Sequence, residues 1–180
     1  MSKGLITEEK IRVSEGFWGK ALTTMGIGER FWNVSIEAIP DGPKYKTVLS
    51  KFTSNIYEHL MEGIGLTLCG NYQVGKTSAA VIIAKAARMH GARVYFSKAV
   101  DIHRGVLEKE SFSDGIRFED RLYNTDLLVL DDIGAESSNF AESMMERILK
   151  KRVDKKLSTV LTTNCSPSKL QAAYGESFTK

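Results

Sequence analysis

Apolar residues Leu49, Phe52, Ile56 and Leu60 recur at steps of three and four, which predicts one amphipathic helix from Tyr45 to Met61. Gly63 and Gly65 end it, and the short apolar run Leu66-Thr67-Leu68-Cys69 predicts a buried strand. Ser78–Arg88 reads as a helix, with Gly91 where a C-terminal cap belongs. Arg93–Ser97 predicts a second strand and Val100–Glu108 a helix, and Phe112, Ile116, Phe118 and Leu122 suggest a further helical stretch. Leu127–Leu130 is continuously apolar, as in a strand covered on both faces. Phe140–Lys156 predicts a helix with Met144, Met145, Ile148, Leu149 and Val153 inside, and Ser158–Thr162 a fourth strand. Ser166 then caps a last helix with Pro167 at its first position.

Strands alternating with helices imply an α/β architecture: a mainly parallel sheet, right-handed crossovers and helices on both faces. Ligands in such sheets bind at the carboxyl ends of the strands. Residues 1–24 are polar, with Thr7 able to cap a short helix; they form either an arm packed on the core or a partner-binding tail. Residues 25–44 hold glycines, prolines and the pair Phe31-Trp32, a composition of an irregular but ordered segment. The division expected is therefore an N-terminal arm and lead-in over 1–44 and a nucleotide-binding core over 45–180.

The length, 180 residues, suits one domain, and 42% hydrophobic with 26% charged residues is ordinary for a globular chain. No apolar run is long enough to span a bilayer and no signal peptide opens the chain, so a cytoplasmic location is the default expectation. A net charge of +3 permits nucleic-acid binding without arguing for it. Cys69 and Cys165 lack metal-ligand spacing and read as reduced core thiols.

The chemistry centres on Gly70-Asn71-Tyr72-Gln73-Val74-Gly75-Lys76-Thr77, which fits the phosphate-loop pattern G-x-x-x-x-G-K-[ST]. Its glycines let the backbone curl and aim N–H groups at phosphate oxygens, and Lys76 reaches the β- and γ-phosphates. The Thr77 hydroxyl suits Mg²⁺, and the helix entered at Ser78 points its positive end at the same anion. Strand before and helix after are the context the motif requires. The third strand stops at Asp131-Asp132: the first carboxylate suits Mg²⁺ through water, the second the orientation or deprotonation of an attacking water. The fourth strand ends in Thr162-Thr163-Asn164, where an amide can bond both the γ-phosphate and that water. Read singly, the acidic pair could be helix caps and Asn164 a turn residue.

Together, Gly70–Thr77, Leu127–Glu136 and Thr162–Asn164 resemble the AAA+ ATPases that load bacterial replicative helicases and the related helpers of insertion-sequence transposition, the DnaC/IstB-like group. Gly26–Phe31 also resembles the segment before that group's core. The resemblance implies a P-loop NTPase three-layer fold, ATP and Mg²⁺ as cofactors, and the Walker A role for Lys76 and Thr77. It gives Asp131 and Asp132 the Walker B role and Asn164 that of sensor 1. As partners it implies single-stranded DNA, a homo-oligomer, and a replicative helicase or a transposase; no membrane is implied.

Three departures stand out. Gln73 occupies a position commonly Gly and Val74 one commonly Thr, and Gln73 costs affinity if its φ is positive. The sequence stops at Lys180, where the family continues with an arginine finger, a fifth strand beside the first and a helical lid. The N-terminal part is shorter than a helicase-binding domain. ATP binding with weak or partner-dependent hydrolysis is the resulting expectation; a nucleotide-propped docking module and a small-molecule kinase are the alternatives. For DNA, the candidates are Lys150, Lys151, Arg152, Lys155 and Lys156, or Lys98, His103 and Arg104. The first set also reads as a solvated face balanced by Glu142, Glu146 and Asp154, and Arg152 alternatively faces a neighbouring subunit.

Overall fold

Four strands, each followed by a helical segment, build the centre of the molecule. The computed structural model describes residues 15–40, 42–102, 112–134 and 139–174. Helix α1 (Glu15–Met25) leads through a 3₁₀ turn (Glu29–Phe31) to α2 (Pro43–Ser54) and α3 (Ile56–Glu62). Strand β1 (Leu66–Cys69), α4 (Lys76–Met89) and β2 (Val94–Lys98) follow, and residues 99–102 are helical. After α5 (Phe112–Asn124) come β3 (Leu127–Asp131), α6 (Asn139–Asp154), β4 (Ser158–Thr163) and α7 (Pro167–Tyr174). The expected caps at Thr7 and the chain beyond 102 in the predicted Val100–Glu108 helix lie outside the described residues.

The strands pair in the order β1-β4-β3-β2, all parallel. Side chains alternate between faces along each strand. Leu127 and Val129 therefore join a cluster with α1–α4, while Leu128 and Leu130 join another with Leu122, Met145, Ile148 and Tyr174. The result is the expected three-layer α/β/α fold. Among the described residues β1 pairs with β4 alone, so the strand entering the phosphate loop lies at a sheet edge.

Several local expectations need correction. The helix predicted over Tyr45–Met61 is two helices, because Asn55 leaves the helical region (φ −106°, ψ 20°) and turns its amide Nδ2 back onto Lys51 O at 3.1 Å. Asparagine's side chain competes with the backbone for such carbonyls, whereas the apolar spacing runs on unbroken across the break. Of the two readings of residues 1–24, the described part, from Glu15, is a helix packed on the core: Leu22 and Met25 are buried in it, and Trp18 packs on it from one turn earlier. Gly19 makes room for that packing, since a Cβ there would lie 2.9 Å from Trp32 Cζ3. Val153, expected inside α6, is 43% exposed. Cys69 is a free thiol on an exposed residue and not a core one, while Cys165 is partly buried.

Candidate nucleotide site

The loop between β1 and α4 is shaped by three residues with positive φ, the first of them Gly70 at +154°. Gly75 caps α4 at φ +91°, and a Cβ there would meet Ile39 Cγ2 at 3.0 Å and Pro40 Cδ at 3.2 Å. Glycine is thus required both for the turn and for the close approach of the lead-in segment. Gln73 has φ +65°, the strained geometry that its replacement of a common glycine threatened. Asn71, Tyr72 and Gln73 form the exposed rim of the loop, with Tyr72 at 77% exposure, while Gly70, Val74, Gly75, Thr77 and Ser78 are partly buried.

Lys76 opens α4 yet is buried, and its ammonium donates to Gly70 O (2.9 Å), Asn71 O (2.6 Å) and Asn164 Oδ1 (2.8 Å). All three of its protons have acceptors, so the charge is held inside the curl of the loop. Asn164 in turn donates through Nδ2 to Asp132 Oδ1 at 2.8 Å. One amide therefore links the loop lysine to the second carboxylate, and it does so from the end of β4, the strand between β1 and β3.

Asp131 shares the face of β3 that carries Leu127 and Val129, which turns its carboxylate toward α4. It is 4% exposed, and its Oδ1 accepts from the Thr77 hydroxyl at 2.9 Å and from the Thr162 hydroxyl at 2.7 Å. Both O–H groups donate to the same oxygen and so fill both of its lone-pair sites. Asp132, the next residue, is in the left-handed region at φ +61°, and its N–H donates to Thr162 Oγ1 at 2.9 Å. That conformation costs an ordinary side chain roughly 1 kcal/mol and is easier for Asp; here it swings the second carboxylate out of the strand toward Asn164.

Thr77 and Asp131 fit a hard divalent cation: a hydroxyl and a carboxylate, both hard oxygens, in contact at the mouth of a buried strand. The residues predicted from the sequence are thus brought together: Lys76 and Thr77 from the loop and helix, Asp131 and Asp132 from β3, and Asn164 from β4. Thr162 holds both acidic residues and carries no predicted role of its own. Its signal is a hydroxyl residue on the last inward position of a strand beside an acidic one. Ile39, nearly fully buried against Gly75, gives no local sign in the sequence, because its contact is made across a chain separation that only folding closes.

The basic residues of α6 do not act as one patch. Arg152 is fully buried, donating from Nε to Thr159 Oγ1 (2.9 Å), and from its terminal nitrogens to Leu122 O (3.0 Å), Thr125 O (3.0 Å) and Ser158 O (2.7 Å). Its burial leaves no surface for a nucleic acid backbone or a neighbouring subunit, and its bonds tie α5, α6 and β4 together. Lys151 lies over the Tyr123 ring at 4.1 Å and Lys155 donates to Asn124 Oδ1 at 2.6 Å. Lys150 and Lys156 are exposed, as is Lys98 at the end of β2; His103 and Arg104 lie outside the described residues.

Comparison with known proteins agrees with this arrangement. The family described as IstB-like ATP binding protein matches residues 56–179. No curated protein sequence matches the chain. Among solved structures, the DnaC helicase loader is 28% identical with a TM-score of 0.71, over 84% of this chain and 92% of that one. DnaI is 21% identical (TM-score 0.65; 83% and 81% covered). The replication initiator DnaA bound to AMPPCP and single-stranded DNA is 20% identical (TM-score 0.63; 76% of this chain, 43% of that chain). The last two likenesses show the fold, and this chain spans less than half of the DnaA one. On the family match, which runs through every residue of the site, the chain belongs to the IstB-like ATP-binding family and has its AAA+ P-loop fold.

Proposed function

We propose that this chain is an ATP-binding accessory protein of DNA replication, of the kind that loads a replicative helicase, with Mg²⁺ as the nucleotide's companion ion. The observation that carries this is the hydrogen-bonded chain from Lys76 through Asn164 to Asp132, set beside the Thr77–Asp131 contact. It brings a phosphate-reaching cation, a cation-ligating pair and a carboxylate able to orient water into one site at the strand ends. Lys76, with the backbone of Gly70–Thr77 and Ser78, would hold the phosphates; Thr77 and Asp131 would hold Mg²⁺, which when bound neutralises phosphate charge. Asp132 would take a proton from water, and Asn164 would report whether a γ-phosphate has replaced it as the partner of Lys76.

Hydrolysis is weak or partner-dependent in this reading. Arg88, Arg93 and Arg152 lie at the opposite ends of their elements from the loop and strand ends, bonded to Ala92 O, Asp126 and interior carbonyls, so none of the three offsets charge at this site. In this reading an arginine for the transition state is supplied by a neighbouring subunit or another protein. The 28% identity to a helicase loader over most of both chains favours the helicase as partner, with single-stranded DNA and a homo-oligomer as further partners. The IstB-like family match favours a second reading, in which the partner is a transposase. Among the described residues no helix is long and apolar enough to cross a membrane.

Calorimetry of ATP and ADP with Mg²⁺, on this chain and on Lys76→Ala, tests the core of the proposal. Binding by the wild type and at least about tenfold weaker binding by the variant, ~1.4 kcal/mol, is the expected result. Absence of binding by the wild type at millimolar nucleotide would refute it.

A further inference from the structure

The backbone ladder between β3 and β4 runs from Leu127↔Ser158 to Leu130↔Leu161 and stops there. Beyond it the β3 chain turns left-handed at Asp132, and its backbone donors find Thr162 instead. Asp132 N–H donates to Thr162 Oγ1 at 2.9 Å, and Ile133 N–H donates to Thr162 O at 2.9 Å. The single proton of the Thr162 hydroxyl goes to Asp131 Oδ1 at 2.7 Å, on the oxygen that also accepts from Thr77 at 2.9 Å. Thr162 is 1% exposed, so water cannot substitute for any of these bonds. A hydroxyl is one donor and two acceptors, and here one hydroxyl orients both adjacent acidic residues, the first by its proton and the second by its lone pair.

We propose that Thr162 is a positioning residue for the cation at this site. It pins Asp131 Oδ1 from the β4 side while Thr77 pins it from the α4 side, which fixes the plane of the carboxylate that would hold the cation through its water. It also holds the Asp132 backbone in the conformation that presents that carboxylate to Asn164. With its hydroxyl spent on Asp131 and Asp132, Thr162 acts through them rather than on nucleotide or cation. Partners of this kind, once removed, typically cost about 10–100-fold in metal affinity. The inference rests on the reading of the site as one for Mg²⁺ and a nucleotide.

The test is ATP affinity measured by calorimetry with and without Mg²⁺, on the wild type, Thr162→Val and Thr162→Ser. Valine keeps the branched shape and removes the hydroxyl; serine keeps the hydroxyl and removes the methyl. The wild type is expected to bind ATP more tightly with Mg²⁺ than with chelator. Thr162→Val is expected to keep the chelator affinity and lose about tenfold or more of the Mg²⁺ gain, and Thr162→Ser to restore it. Equal Mg²⁺ gain in wild type and Thr162→Val would overturn the assignment. If the valine variant does not fold, loss of the gain in Thr162→Ser overturns it equally. A wild type that binds ATP with no Mg²⁺ gain refutes the positioning role alone, whereas a wild type without ATP binding removes the nucleotide reading itself and this inference with it.

Discussion

Replacing Arg152 by methionine or alanine is expected to destabilise the fold strongly even though the residue lies far from the phosphate loop. Its guanidinium is fully buried and donates four hydrogen bonds, three to main-chain carbonyls and one to Thr159. Burial pushes its pKa down to about 10, against the opposing pull of Asp126, so it still carries its charge at neutral pH. Charged donors contribute about 1.5–3 kcal/mol per bond, and against that gross gain stands a desolvation cost of several kcal/mol for a buried ion. Truncation to alanine abandons the bonds, orphans the acceptors and opens a cavity. A loss of about 3–5 kcal/mol, the scale for breaking buried charge networks, is the expected outcome. Arg152→Met fills the volume and removes the charge, and leaves carbonyls that each retain a second lone pair. Its expected cost is about 3 kcal/mol, the low end for three orphaned acceptors. Arg152→Lys should fall close to the methionine variant, since an ammonium lacks the planar fork that reaches three elements at once. Urea unfolding of all three, with the midpoint compared at constant slope, supplies the measurement. A methionine variant as stable as the wild type would show that the carbonyls find other partners and that the cation merely fills space.

Three further outcomes are expected. Gln73→Gly relieves a left-handed non-glycine residue at φ +65° and should stabilise the folded loop by up to ~1 kcal/mol while tightening ATP binding; weaker binding in calorimetry would show that the Gln73 side chain itself contacts nucleotide. Asn164→Ala cuts the link between Lys76 and Asp132, so ATP binding should persist while phosphate release in the presence of partner falls by about tenfold or more, on the scale of one positioned transition-state group; an unchanged rate counts against it. Partial burial raises the Cys69 thiol pKa, Cys165 adds to that rise, and Lys76 opposes it. The protonated form therefore dominates at neutral pH, alkylation by iodoacetamide should be slower than for a free thiol and should speed up as pH rises, and Lys76→Ala should slow it further. A rate that is flat from neutral to alkaline pH contradicts this.

The grouping of the candidate site was legible because its residues are local in sequence. Gly75, Lys76 and Thr77 are adjacent in sequence, as are Asp131 and Asp132, and the parallel topology brings their strand ends together without further instruction. Residues whose roles depend on distant chain were harder to read. Arg152 sits among lysines and looks like one more solvated cation, yet its acceptors come from α5, the following turn and β4. The break at Asn55 is silent in the apolar spacing because Leu49, Phe52 and Ile56 are all buried on either side of it. Helix α1 was obscured because residues 1–24 taken together are polar and mixed in charge, although its inward face, Trp18, Leu22 and Met25, recurs at helical spacing. Thr162 shows the limit most clearly: its identity was noticed, but its two-sided role depends on the left-handed turn at Asp132, which no residue type alone announces.

The position of β1 at the sheet edge has a consequence in time rather than in space. Among the described residues its amides and carbonyls have one neighbouring strand, β4, to hold them, so opening β1 breaks one ladder where opening β3 or β4 breaks two. Local opening of this kind sets amide exchange in native proteins. The strand that suspends the phosphate loop should therefore exchange its β4-bonded amides sooner than β3 does. A nucleotide bridging Lys76 and the β3 and β4 strand ends would slow that opening most, leaving the already slow core nearly unchanged. Occupancy of the loop would then register first as a longer closed lifetime of a single edge strand.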